Sequence, residues 1–99
     1  MWILRTVTEG LPEKTFRILP GSARTIGRAI GADFIVDAAL VSRVHCRLTA
    51  LTGGELEVHD LESTNGTFVN GTRIETVRLA SGDRLQVGRV ELVALRDDE

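Results

Sequence analysis

The chain has little of several things, and each shortage excludes something. It has one cysteine, Cys46, so no internal disulfide can form and no metal-ligand spacing surrounds it. It has no tyrosine, one tryptophan and three phenylalanines. The core must therefore be built mainly from Leu, Ile and Val. It has one lysine, Lys14, and a formal net charge of −2, which argues against a general nucleic-acid binder needing a basic surface. No run approaches membrane-spanning length. The opening Met1-Trp2-Ile3-Leu4-Arg5 lacks the basic segment, apolar stretch and cleavage site of a signal peptide. These shortages together fit a reducing, cytoplasmic setting with no membrane partner. Met1 fits a natural start, and the sequence leaves open whether the chain continues past Glu99.

What is present is ordinary for a folded domain. Hydrophobic residues are 42% and charged residues 26%, a balance that argues against disorder. Ninety-nine residues make a single domain over 1–99, with its core expected at about 2–96. Such a chain buries roughly 60–70% of the surface its unfolded form exposes. The basic side is lopsided, eleven Arg against one Lys. A GC-rich coding sequence explains that at least as well as chemistry does, although Arg alone offers phosphate a planar fork.

Short alternating segments dominate. Residues 2–8 and 14–19 read as strands, with Phe16 and Ile18 on one face of the second. Residues 24–28 form a third strand ending in glycine, a sign of a bulge or close backbone approach. Residues 29–41 are ambiguous. Their composition admits a helix, but Phe34-Ile35-Val36 favours a short buried strand. Residues 45–51 place Cys46, Leu48 and Ala50 on one face. Residues 55–59 give the cleanest alternation, Leu56 and Val58 inward. Thr67-Phe68-Val69 precedes the turn pair Asn70-Gly71, and further short strands follow to Leu95. The last four residues, 96–99, read as a solvated tail. No segment holds a 3.6 period over ten residues, so a β-sandwich or barrel is indicated.

Three polar clusters stand out: Gly27-Arg28, Ser42-Arg43-Val44-His45, and Glu62-Ser63-Thr64-Asn65-Gly66-Thr67. A phosphate dianion needs charge-assisted donors from several directions, each contributing about 1.5–3 kcal/mol. Arg28 offers a bidentate fork, Ser42 and Thr64 hydroxyls, and loop N–H groups can add donors. Asn65 carries both a donor and an acceptor and so suits a peptide backbone. Gly66 permits the positive φ of a tight turn. A hydrolase is a competing idea, through Ser42 with His45 or through Cys46. No third orienting group or oxyanion site is marked, and neighbouring strand residues such as His45 and Cys46 face opposite ways.

With Asp60-Leu61 before the third cluster, Phe68-Val69-Asn70-Gly71 after it, and then Leu79-Ala80-Ser81-Gly82-Asp83 and Val87-Gly88, the ordered set resembles the forkhead-associated (FHA) domain family, from about Phe16 to Leu95. Each motif is weak alone; their order is specific. The resemblance implies an all-β fold: a two-sheet β-sandwich of about ten or eleven short, mostly antiparallel strands with binding loops at one end. It implies a non-catalytic module that binds phosphothreonine peptides in Ser/Thr kinase signalling, with no cofactor and no metal. Arg28, Ser42, Arg43 and Thr64 resemble phosphate ligands, and Asn65 the residue that holds the peptide main chain. Gly27, His45 and Gly66 resemble loop-bracing positions. Leu40, Val41 and Glu62 are candidates for peptide specificity. The expected partner is a phosphothreonine-containing substrate of a Ser/Thr kinase, bound by a monomer. The alternative is a phosphorylation-independent interaction or dimerisation module, which the apolar 29–41 stretch can support.

Overall fold

Alternation of apolar and polar residues sets the strands, because a period of two sends successive side chains to opposite faces. The computed structural model describes residues 1–97. Eleven strands are present among them: β1 (Trp2–Thr6), β2 (Thr15–Ile18), β3 (Ala23–Gly27), β4 (Phe34–Ile35), β5 (Cys46–Ala50), β6 (Leu56–Asp60), β7 (Thr67–Val69), β8 (Thr72–Ile74), β9 (Thr76–Leu79), β10 (Arg84–Val87) and β11 (Val90–Arg96). They form two sheets, ordered β2-β1-β11-β10-β7-β8 and β4-β3-β5-β6-β9. All the recorded pairings are antiparallel except β3 with β4. The all-β, two-sheet expectation therefore holds, with eleven strands.

The core lies between the sheets. Leu4 and Leu92 from the first sheet meet Ile26, Leu48, Leu56 and Val58 from the second, all fully buried. Phe16 of β2 stacks on Phe34 of β4 at 4.6 Å between ring centres, joining the edge strands of the two sheets. Such an aromatic pair adds about 0.5–1.5 kcal/mol beyond area burial. Asn70-Gly71 makes the hairpin between β7 and β8 with φ positive at both residues, the twist that suits a two-residue β-turn. The Asn70 side chain fastens that turn, accepting from Arg84 N at 2.9 Å and donating to Asp83 at 3.0 Å.

Three segments differ from the sequence reading. The first strand stops at Thr6 rather than residue 8. Thr6 Oγ1 there accepts the N–H of Lys14 at 2.7 Å, and the chain turns out into a loop containing Pro12, which has no N–H for a ladder. Within 29–41 only Phe34–Ile35 is strand. It pairs parallel with β3, and Asp33 fixes the approach by accepting both the N–H and the hydroxyl of Thr25. Those bonds hold the Asp33 carboxyl below its ordinary value: the bond from Thr25 N leads, and together with the Thr25 hydroxyl and the Arg24 charge it outweighs the opposing effect of burial. Finally, Arg96 is not tail. It closes β11, and its guanidinium lies against Gly54, while Asp97 N donates to Met1 O at 2.8 Å. Asp98 and Glu99 lie outside the described residues.

Candidate phosphate-binding site

The end of β3 carries the first element. Gly27 sits where the 42–45 loop crosses, and a Cβ at this position would overlap the Arg43 carbonyl oxygen and lie 2.7 Å from its carbon and 2.9 Å from Val44 Cα. All three are backbone atoms, so only a residue without a side chain permits this crossing. The crossing is then bonded: Arg28 N donates to Ser42 O at 3.0 Å, Ala29 N to Arg43 O at 3.1 Å, and His45 N to Ile26 O at 2.7 Å. Past the crossing, Arg28 turns its side chain back over the loop and donates from Nε to Val41 O at 3.0 Å. This bond fixes the guanidinium plane and leaves the two Nη groups without a partner among the described residues.

His45 joins the second and third clusters. Its ring is wholly buried. Nδ1 accepts the Ser42 N–H at 3.0 Å, and Nε2 donates to Gly66 O at 2.8 Å. Both bonds together fit one neutral tautomer, protonated at Nε2. Gly66 adopts φ +87, and Arg73 lies over its α-carbon, where a side chain would stand. The Gly66 N–H donates to Ser63 Oγ at 3.0 Å.

Asp60 builds the rest of the third loop. Its Oδ1 accepts Ser63 Oγ at 2.6 Å and Thr67 Oγ1 at 2.7 Å. Burial raises the Asp60 carboxyl, but hydrogen bonds from Ser63 Oγ, Thr67 Oγ1 and Ser63 N outweigh it, so the group titrates below its ordinary value. Asp60, Ser63 and Thr67 were quoted in the sequence motif but given no role. The signal was there in the Asp-x-x-Ser spacing, which suits a side chain that caps a turn three residues on.

Onto this frame the exposed residues converge. A cleft of about 620 Å³ is lined by Arg28, Asp37–Arg43, Thr64 and Asn65. Thr64 N donates to Ser42 Oγ at 3.1 Å, so the Ser42 hydroxyl accepts from the loop and keeps its own proton for a ligand. Asn65 Nδ2 donates to Leu40 O at 3.1 Å, holding the two loops together across the cleft. Arg43 contributes an exposed side chain, and its carbonyl is the one in contact with Gly27. Leu40 is held at φ 70, uncommon for a side-chain-bearing residue, and is 45% exposed.

The structure separates the three specificity candidates. Leu40 faces the cleft. Val41 is only 3% exposed and belongs to the core, so its side chain does not reach a ligand; the unusual φ at Leu40 directs the two neighbours to different environments. Glu62 is exposed at φ 55 and is absent from the cleft lining.

Fold and site define a class: a β-sandwich whose loops at one end converge on a cleft furnished with cationic and hydroxyl donors. The particular family follows from comparison. The FHA domain model matches residues 24–88, and the chain belongs to the FHA domain family. It is 43% identical over 75 residues to the ABC transporter ATP-binding/permease protein Rv1747 of Mycobacterium tuberculosis, covering 76% of this chain and 9% of that one. It is 38% identical over 78 residues to the glycogen accumulation regulator GarA of Mycolicibacterium smegmatis, covering 79% of this chain and 49% of that one. The chain thus spans half or less of these curated relatives. Among solved structures, the FhaA FHA domain complexed with the intracellular domain of Rv3910 superposes with a TM-score of 0.84 at 30% identity, covering 95% of this chain and 99% of that one. The FHA domain of CT664 from Chlamydia trachomatis shares the fold with a TM-score of 0.89 at 21% identity, covering 95% of each chain.

Proposed function

We propose that this chain is a non-catalytic module that binds phosphothreonine within an extended peptide. One observation carries the reading: Arg28 and Ser42, brought from separate segments, present unused donors to the same cleft as Arg43 and Thr64. Arg28 supplies the charged fork, Ser42 and Thr64 hydroxyl donors, and Arg43 a second cation at the rim. Asn65 reads the peptide main chain, exchanging its hold on Leu40 O or using its free amide oxygen. Gly27, His45 and Gly66 keep the loops in register for this task. Relatives support the phosphorylated ligand: an FHA domain with TM-score 0.84 and 28% identity comes from work on phosphothreonine-dependent FHA interactions, with 99% of this chain and 98% of that one covered.

Binding is favoured over hydrolysis because His45 spends both ring nitrogens on backbone groups and none on Ser42 Oγ. A nucleophile needs such a base within hydrogen-bond reach. The partner in this reading is a phosphothreonine protein made by a Ser/Thr kinase, met by a monomer in the cytoplasm. Exposed Leu40 beside Ser42 favours an apolar residue close to the phosphothreonine.

A phosphothreonine peptide titrated by fluorescence anisotropy tests this. It binds, its unphosphorylated twin does not, and Arg28→Ala weakens binding at least about a hundredfold, as loss of two charge-assisted bonds requires. Equal binding of both peptides would sink the phosphate reading and favour the phosphorylation-independent module.

A further inference from the structure

Arg73 carries a charge that the fold does not use. It is exposed on β8, where it pairs with Phe68 of β7. Its side chain runs back to Gly66, where a Cβ would stand 2.8 Å from Arg73 Nε and 3.1 Å from Cζ. Gly66 holds φ +87, so its bare α-carbon serves the turn and makes room for the guanidinium as well. The contact fixes the head of the side chain without neutralising it. Among the described residues Arg73 has no hydrogen-bond or ion-pair partner, although Glu62 and Glu75 are exposed nearby in the chain. The ion pairs present use Arg5, Arg78 and Arg84 instead.

The position is close to the phosphate donors. Thr64 N meets Ser42 Oγ at 3.1 Å, and Gly66 follows Thr64 by two residues. Two residues span at most about 7 Å, which puts the Arg73 head within roughly 15 Å of a phosphate on Ser42, the length of four or five residues of extended peptide. A second cation adds to the potential there. Thr67 pairs with Val87, so Gly66 and Gly88 are neighbours at the loop end of the sheet. Gly88 packs on the cleft wall, where a Cβ would stand 3.0 Å from Ala39 O and 3.0 Å from the Leu40 carbonyl carbon. Arg89, next in the chain, is exposed and also without a partner among the described residues. Asp37, an exposed carboxylate in the cleft lining, repels anions from its own part of the cleft.

We propose that the Arg73 guanidinium receives a negatively charged side chain of the bound peptide, a carboxylate or a second phosphate, within about five residues of the phosphothreonine. The proposal rests on the phosphothreonine reading above and adds a second, charge-selective point of recognition to it. A planar guanidinium already held over Gly66 loses little freedom when it takes up such a group. Were Arg73 only a cover for Gly66, the charge of the peptide beyond its phosphothreonine would be indifferent to it.

The test uses phosphothreonine peptides in an uncharged serine background, with one glutamate walked over roughly five places on either side of the phosphothreonine, the span set by chain reach. A parallel series carries phosphoserine in place of the glutamate. Wild type and Arg73→Gln are titrated with each. One position binds wild type about three- to fivefold tighter with glutamate than the all-serine phosphopeptide does, the gain expected of an exposed charge pair, and about tenfold tighter with phosphoserine. The gain shrinks as salt is raised. Arg73→Gln loses it and binds the all-serine phosphopeptide as wild type does, which shows that the turn at Gly66 and the phosphate cleft are intact. A gain in the phosphoserine series alone assigns the site to a second phosphate, and a gain in both assigns it to either anion. Absence of a favoured position in both series, or a gain that survives Arg73→Gln, overturns the proposal while leaving the phosphate reading in place. An Arg73→Gln variant that weakens the all-serine phosphopeptide as much as the acidic ones makes Arg73 a brace for the loop and overturns it too. Failure of every phosphopeptide to bind wild type overturns the phosphothreonine reading, and this proposal with it.

Discussion

Gly27→Ala is the smallest change that strains the frame of the site. Replacing glycine with alanine at an accommodating position stabilises by about 0.4–1 kcal/mol, because the unfolded chain loses freedom. Gly27 does not require a positive φ, so backbone strain gives no reason to expect otherwise. Sterics decide against the substitution. The new Cβ would stand 2.7 Å from the Arg43 carbonyl carbon, and ordinary contact begins at 3.4 Å, so the crossing strand must retreat by 0.7 Å there, and further at the carbonyl oxygen. The bonds from Arg28 N at 3.0 Å and Ala29 N at 3.1 Å then stretch beyond useful length. Two such bonds and overpacking cost about 3 kcal/mol, which leaves a net loss of about 2 kcal/mol after the entropic gain. In a domain of this size that lowers Tm by roughly 10 °C, readable by calorimetry. Because Ser42 and Arg43 move with the loop, phosphopeptide affinity also falls by about tenfold or more at a temperature where the variant is folded. A Gly27→Ala variant with unchanged or raised Tm and unchanged affinity would refute the steric account.

Two further outcomes follow from the interior. Cys46 is 0% exposed, and burial first, then the nearby Asp60 charge, pushes its thiol up to about 12. It therefore stays unreactive toward an aromatic disulfide reagent at about pH 8 until the protein unfolds, and rapid labelling of the native state would contradict its placement. The Asp60 carboxyl titrates below its ordinary 3.8, so its contribution is complete above that value and is lost as pH falls through the lower folded value. Asp60→Asn should be less stable than wild type near neutrality, with the gap closing on acidification; a constant gap in denaturant titrations down to about pH 3 would refute the assignment.

The sheets were legible because their residues alternate. Leu56 and Val58 face inward for a reason visible in five residues, and Asn70-Gly71 announces its hairpin. Residues 29–41 were not legible in the same way. Their one strand depends on a parallel partner and on Asp33 reaching Thr25, both of which lie outside the segment. The end of β11 was misread by one residue, because Arg96 is solvent-exposed as expected yet still closes the strand, its guanidinium lying against Gly54 of another hairpin. The same division runs through the site. Arg28, Ser42 and Asn65 could be chosen by chemistry and by family resemblance. The partition between Leu40 and Val41 could not, because it turns on one backbone dihedral, φ 70 at Leu40. The place of Arg73 was equally hidden, since it reaches Gly66 only through the pairing of β7 with β8.

The central claim is that a phosphorylated threonine is read where Arg28, Ser42, Arg43, Thr64 and Asn65 converge. Amide chemical-shift mapping of the labelled protein tests it most directly, by titration with a phosphothreonine peptide and with its unphosphorylated twin. The account predicts that the phosphopeptide shifts the amides of residues 27–29, 40–45 and 63–66, and that the twin leaves them in place. Shifts of the same residues by both peptides, or phosphopeptide shifts confined to the opposite end of the sandwich, would contradict it.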